Sequence, residues 1–225
     1  MVSIHFLLLA LSLLVQPQEA PSLDSVLKKM DDTAATFRSA QADFEWDQYQ
    51  KVVDDIDIQK GTVYYRRAGN EIEMMAEIKQ PDTKFVLYKE GKLQIYQPKI
   101  EQVMVFSAGS NRNEMESYLV LGFGGGGHAL ANSYDIAYAG SEQVEGVTAA
   151  KLALTPKSQR VHNMFQTITL WIDPARGIPV QQRFDEPSGD YRITKYSDIR
   201  INQKLPNDAF KLKTNGKTKF VKPNG

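Results

Sequence analysis

Glu71-Ile-Glu-Met-Met-Ala-Glu-Ile78 is the stretch that decides how this chain folds. Ile72, Met74, Ala76 and Ile78 alternate with Glu71, Glu73 and Glu77, a period of two that gives a strand one greasy face and one wetted face. The rhythm spreads in both directions. Upstream, Ala42, Phe44 and Trp46 alternate with Asp43, Glu45 and Asp47, and Gly61-Thr-Val-Tyr-Tyr-Arg-Arg67 adds a strand. Downstream, Phe85-Val-Leu-Tyr88 and Leu93-Gln-Ile-Tyr96 flank the turn signal Glu90-Gly91, and Val103-Met-Val-Phe106 follows. Strands resume at 134–138, 152–154, 166–172, 180–184, 191–196 and 210–212. About eleven short strands with turns between them predict a mainly β fold with a few helices (α+β), arranged as an antiparallel sheet or open barrel.

Two helices interrupt this pattern. Leu23, Val26, Leu27, Met30, Ala34 and Phe37 recur at spacings of three and four, with Ser22 as N-cap and Asp24 in the first turn, predicting a helix over 23–37. Within the pause at 110–131, Ser110 can cap a second helix carrying Met115, Tyr118 and Leu119 and ending at Gly122. Ahead of both, residues 4–15 form an apolar run of twelve, followed by Gln16-Pro-Gln-Glu-Ala20. That layout reads as a secretory signal peptide over 1–20 with cleavage near Ala20, although its n-region carries no Lys or Arg. Residues 21–225 then form one domain.

Composition removes several function classes. The 225 residues are 42% apolar and 24% charged, which is ordinary for a globular chain. Lys+Arg and Asp+Glu are 27 each, so no basic excess points to nucleic acid. There is no Cys, which excludes disulfides, thiol catalysis and thiolate metal sites, and the three His are scattered. No cofactor or metal is implied. The run Gly122-Phe-Gly-Gly-Gly-Gly-His128 lacks the Lys-Ser/Thr and following helix of a phosphate loop, so it reads as a hinge. Asp54-Asp55-Ile-Asp57 lacks the glycine and terminal Glu of a calcium loop and reads as a hairpin tip. Neither a nucleophile motif nor a base–orienter pair can be assigned, so an enzyme such as a secreted hydrolase is disfavoured. The apolar faces carry the signal, and they point to binding.

In order along the chain, these landmarks resemble the LolA family of periplasmic lipoprotein carriers. The amphipathic first helix, Ala42-Asp-Phe-Glu-Trp46 and Gly61-Thr-Val-Tyr-Tyr-Arg-Arg67 come first. Glu90-Gly-Lys-Leu-Gln-Ile-Tyr-Gln-Pro98, Ile100-Glu-Gln-Val103, Leu121-Gly-Phe-Gly-Gly125 and Leu152-Ala-Leu-Thr-Pro-Lys157 follow. The match runs from about Ser22 to Val221, and departs where Ala68-Gly69 stands in place of the family's frequent proline.

The resemblance implies an incomplete barrel around an apolar cavity with a helical lid. It also implies a monomeric carrier that takes acylated lipoproteins from an inner-membrane releasing ABC transporter to the outer membrane, with or without a receptor there. Cavity-lining candidates are Phe44, Trp46, Ile72, Met74, Ile78, Leu93, Ile95, Val103, Val105, Leu152, Leu154, Ile168 and Leu170. The lid candidates are Leu23, Leu27, Met30 and Phe37 on the first helix and Met115 and Leu119 on the second. Arg67 matches the family's lid-latching arginine, with Arg66 as the alternative if the strand slips by one residue. The same fold in other roles, as a lipid or glycolipid binder or an envelope-stress sensor, is the alternative reading, and a purely structural envelope protein with a filled interior is another.

A carrier of this kind has a definite physical task. Some forty methylenes of a multiply acylated lipoprotein, at about 0.8 kcal/mol each, oppose free diffusion in water by up to about 30 kcal/mol.

Overall fold

The computed structural model describes residues 21–107, 109, 118 and 121–223. The proposed leader, Met115 and Leu119 lie outside them.

Helix α1 (Leu23–Thr36) begins as the sequence predicts, with the Ser22 hydroxyl accepting a hydrogen bond from the Ser25 backbone N–H at 3.2 Å. It stops at Phe37, whose backbone is already extended. Strands β1 (Ser39–Gln50), β2 (Asp55–Ala68), β3 (Glu71–Gln80), β4 (Lys84–Lys89), β5 (Lys92–Gln97) and β6 (Gln102–Ser107) follow. After them come the short helix α2 (Gly127–Leu130), β7 (Tyr134–Val144), β8 (Val147–Pro156), helix α3 (Gln159–Met164), β9 (Thr167–Asp173), β10 (Ile178–Asp185), β11 (Tyr191–Ile201) and β12 (Lys219–Val221).

All twelve strands form one sheet in the order β12-β6-β5-β4-β3-β2-β1-β11-β10-β9-β8-β7. β7 and β12 are its edges and do not pair with each other, so the fold is an open, incomplete barrel. The β1–β11 pairing stitches the two halves of the chain together.

Four details differ from the sequence expectation. The pairing is antiparallel except at the edge, where β12 runs parallel to β6. Residues 210–212 are not a strand; they lie in irregular backbone, where Ala209 and Phe210 are buried against Tyr64, Met75 and Leu87 on the outer face of β2–β4. And β7 and β8 run on to meet at Glu145-Gly146, both left-handed (φ 47° and 79°), repeating the Glu90-Gly91 arrangement between β4 and β5 (φ 53° and 68°). Two successive positive φ values are what a tight hairpin with the right twist requires. The β1–β2 turn spans 51–54, so Asp55 and Asp57 already belong to β2.

The inner face of the sheet has two halves. Over β8 and β9, α1 buries Val26, Leu27 and Met30 against Leu152, Leu154, Ile168, Leu170 and Ile172. Complete burial of each such side chain is worth about 1.5–3 kcal/mol, so this half is a filled core that fixes α1 in place. Over β1–β5 and β11 the inner face carries Phe44, Val63, Tyr65, Met74, Ile78 and Tyr196, and there the filling is incomplete.

Candidate functional site: an apolar cavity under a latched helix

Between the inner faces of β1–β5 and β10–β11 lies a cavity of about 480 Å³. Alternation places one residue in two on its wall. Phe44 and Trp46 come from β1, Val63 and Tyr65 from β2, Met74 and Ile78 from β3, and Leu93 and Ile95 from β5. Tyr118, Met164 and Phe165 border it from outside the sheet, and Gln182, Phe184, Arg192, Thr194 and Tyr196 complete it from β10 and β11.

Six of the thirteen lining candidates therefore stand on this wall: Phe44, Trp46, Met74, Ile78, Leu93 and Ile95. The other seven do not. Leu152, Leu154, Ile168 and Leu170 are fully buried, but beneath α1, which occupies the space they would otherwise enclose. Ile72 is buried next to Gly124 at the lid. Val103 and Val105 are on the wrong face. They stand opposite Tyr96 and Gln94, whereas Phe106 and Met104 stand opposite the inward-facing Leu93 and Ile95. Directly paired residues share a face. Val103-Met-Val-Phe106 is apolar at both parities, so its alternation carries no information about which side faces in.

Five wall residues outside the candidate set come from β10 and β11, and others from β2, β3, β4 and the segments off the sheet. Gln182, Arg192 and Thr194 are polar and so broke the pattern that would have flagged Phe184 and Tyr196 beside them. Only the cross-strand register, with Phe44 opposite Tyr196 and Trp46 opposite Thr194, reveals their orientation.

One end of the cavity is closed by the glycine-rich segment. Phe123, completely buried, stacks on Tyr65 (ring centroids 4.5 Å apart, 11° between planes) and meets Tyr196 edge-on at 5.1 Å. Tyr196 donates its hydroxyl hydrogen to Gln182 Oε1 at 3.0 Å, and Gln182 Nε2 donates to the Leu121 carbonyl. Burial pushes the phenols of Tyr65 and Tyr196 well above their ordinary pKa, so both remain neutral. The glycines are there for close approach. A Cβ on Gly124 (φ 79°) would sit 2.6 Å from the Phe37 ring, and one on Gly127 would sit 2.3 Å from the Leu27 carbonyl oxygen. The segment is thus a fitted seam against α1.

Arg67 locks that seam. Its Nε donates to the Phe37 carbonyl at 3.1 Å, and Nη2 donates to the carbonyls of Ala34 (3.3 Å) and Gly124 (2.8 Å). One guanidinium thus joins β2, the C-terminal end of α1 and the glycine segment, adding charge-assisted donors to three backbone carbonyls at once. Arg66, of opposite parity, points outward, where Nε lies 2.6 Å from Glu73 Oε2 and the guanidinium covers Phe210 at 4.3 Å.

A second tie is ionic. The His128 backbone N–H donates to Asp31 Oδ1 at 3.2 Å, its Nδ1 meets Asp31 Oδ2, and its Nε2 lies 3.4 Å from Asp24 Oδ1, joining α2 to α1. The hydrogen bond to Asp31, with help from Asp24, raises the His128 pKa. Desolvation works to raise Asp31, but the bonds from His128 outweigh it and leave its pKa lowered.

The family model described as outer membrane lipoprotein carrier protein LolA matches residues 35–213. The chain belongs to the LolA family. A comparison with curated proteins gave no match. Among solved structures, the chain is similar in fold to an uncharacterized conserved protein from Thermus thermophilus, at 14% identity and TM-score 0.57, covering 90% of this chain and 100% of that one. It is also similar to MucB, at 16% identity and TM-score 0.53, covering 85% and 63%. In the MucA/MucB complex of Pseudomonas aeruginosa the figures are 15%, 0.50, 84% and 60%. The LolA-like chain thus spans about 60% of the MucB chain, and at these identities the likeness speaks for the fold.

Proposed function

We propose that this LolA-family protein is a non-enzymatic periplasmic carrier that shields the acyl chains of lipoproteins on their way from the inner-membrane releasing transporter to the outer membrane. The observation that carries the reading is an apolar cavity left unfilled beneath a lid that three hydrogen bonds from one arginine hold shut. A structural envelope protein has no use for either. No helix among the described residues is long and apolar enough to cross a membrane.

Size sets the mechanism. At roughly 30 Å³ per water-sized group, about 480 Å³ holds about sixteen such groups, the length of one fatty chain. A cargo with two or three chains requires the lid to lift and the seam at Gly124 to part. Arg67 then sets the balance between the empty, shut form and the loaded, open form, and cargo binds more weakly by whatever the latch contributes.

The test is to co-express the exported chain with an acylated lipoprotein and isolate the soluble fraction. A one-to-one complex that disappears when the lipoprotein is made without its acyl chains is the expected result. A soluble fraction devoid of lipoprotein, with free lipid bound instead on native mass spectrometry, would favour lipid carriage.

A further inference from the structure

The far end of the cavity has a different character from the end closed by Phe123. Tyr196 and Arg192 both face inward on β11, four residues apart, which is about 14 Å along a strand. Arg192 is therefore a cation on the wall of an otherwise greasy enclosure. Its guanidinium lies over the rings of Phe165 (4.9 Å) and Phe184 (5.9 Å), which hold it flat against the wall.

The group is short of partners. Nε is buried and makes no hydrogen bond, although Glu186 Oε1 lies 3.2 Å away out of line. Among the described residues Glu186 is its sole ion-pair partner, which leaves the terminal nitrogens with no second carboxylate to meet. Burial also pulls its pKa below the usual guanidinium value, a sign that the charge is poorly solvated. A half-buried guanidinium with an unbonded Nε, on the wall of an apolar space the length of one chain, is a receptor for an oxyanion joined to a hydrocarbon tail.

We propose that the latched cavity itself binds one single-chain anionic amphiphile, its tail running toward Tyr196 and Phe123 and its carboxylate or phosphate head on Arg192. This rests on the reading above only in needing the cavity to accept acyl tails. It goes beyond that reading because the thioether and ester linkages of a lipoprotein's acyl end are neutral.

The test is calorimetric titration of the delipidated protein at pH 8 with palmitate, palmitoyl lysophosphatidate and the neutral 1-monopalmitin, which share a chain and differ in head. The anions should bind about tenfold more tightly than monopalmitin, the scale of one charge-assisted hydrogen bond. Whichever anion leads identifies the head as carboxylate or phosphate. Arg192→Met should bring the ratio close to one, and Glu186→Gln, which frees the guanidinium, should widen it. Equal affinity for all three in the unaltered protein, or a preference that survives Arg192→Met, overturns the assignment while leaving acyl-chain carriage standing. Failure of all three to bind also overturns the assignment, while lipoprotein carriage, which needs the lifted lid, stands or falls by the co-expression test above. Should Arg192→Met not fold, an unchanged ratio in Glu186→Gln is the overturning result.

Discussion

Arg66 and Arg67 show how much one residue of register is worth. Neighbours in sequence, they face opposite sides of β2, one reaching Glu73 and Phe210 and the other three backbone carbonyls at the lid. Arg67→Leu should therefore favour the open form. Cargo uptake should persist while release to an acceptor membrane slows, and in a release assay Arg66→Leu should behave like the unaltered protein. Gly127 is as demanding. Gly127→Ala puts a methyl against the Leu27 carbonyl and should cost about 1–3 kcal/mol in urea unfolding. The His128 tie adds a pH dependence. Its raised pKa means that the pairing with Asp31 and Asp24 is fully present below the unfolded histidine value of about 6.5 and is lost as pH rises through the higher folded value. On the acid side it is lost as pH falls through the lowered pKa of Asp31. His128→Ala should accordingly flatten the decline in thermal stability between neutral and mildly alkaline pH, which a series of melting curves would show.

Among elements, α1 has two jobs. Its Val26, Leu27 and Met30 complete the core over β8–β9, while its last turn supplies carbonyls to the latch. A helix so embedded cannot swing away as a whole without exposing that core, so lid movement must be concentrated at the Phe37 end and in the glycine segment. Met30→Ala should cost about 2–5 kcal/mol, since Met30 is almost wholly buried. Such elements were legible where one parity was apolar and the other charged: β1, β3 and α1 announce their faces in the sequence. β6 did not, because Val103, Met104, Val105 and Phe106 are apolar throughout and only pairing with β5 sets the side. β10 and β11 were obscured for the opposite reason, polar Gln182 and Arg192 facing inward. β8 and β9 were read as cavity wall because periodicity shows that a face is buried without showing by what, and α1 is what buries it.

At the scale of the whole molecule, the division into a solid half and a hollow half makes the two tryptophans report separately. Trp46 stands on the cavity wall, while Trp171 is buried in a different cluster with its indole N–H donating to Glu142 at 3.0 Å. Titration with an acyl ligand should change the emission of Trp46 alone, so Trp46→Phe should abolish the fluorescence response and Trp171→Phe should preserve it. The order of the strands has one more consequence. Because β7 and β12 end the sheet without meeting, the wrap has a seam along its whole height, and its girth can grow by a small rotation of each strand on the next. Such an expansion would break no rung of the ladder, so on the carrier function proposed above an open wrap would admit slim and bulky passengers at a lower enthalpic cost than a sealed ring of strands.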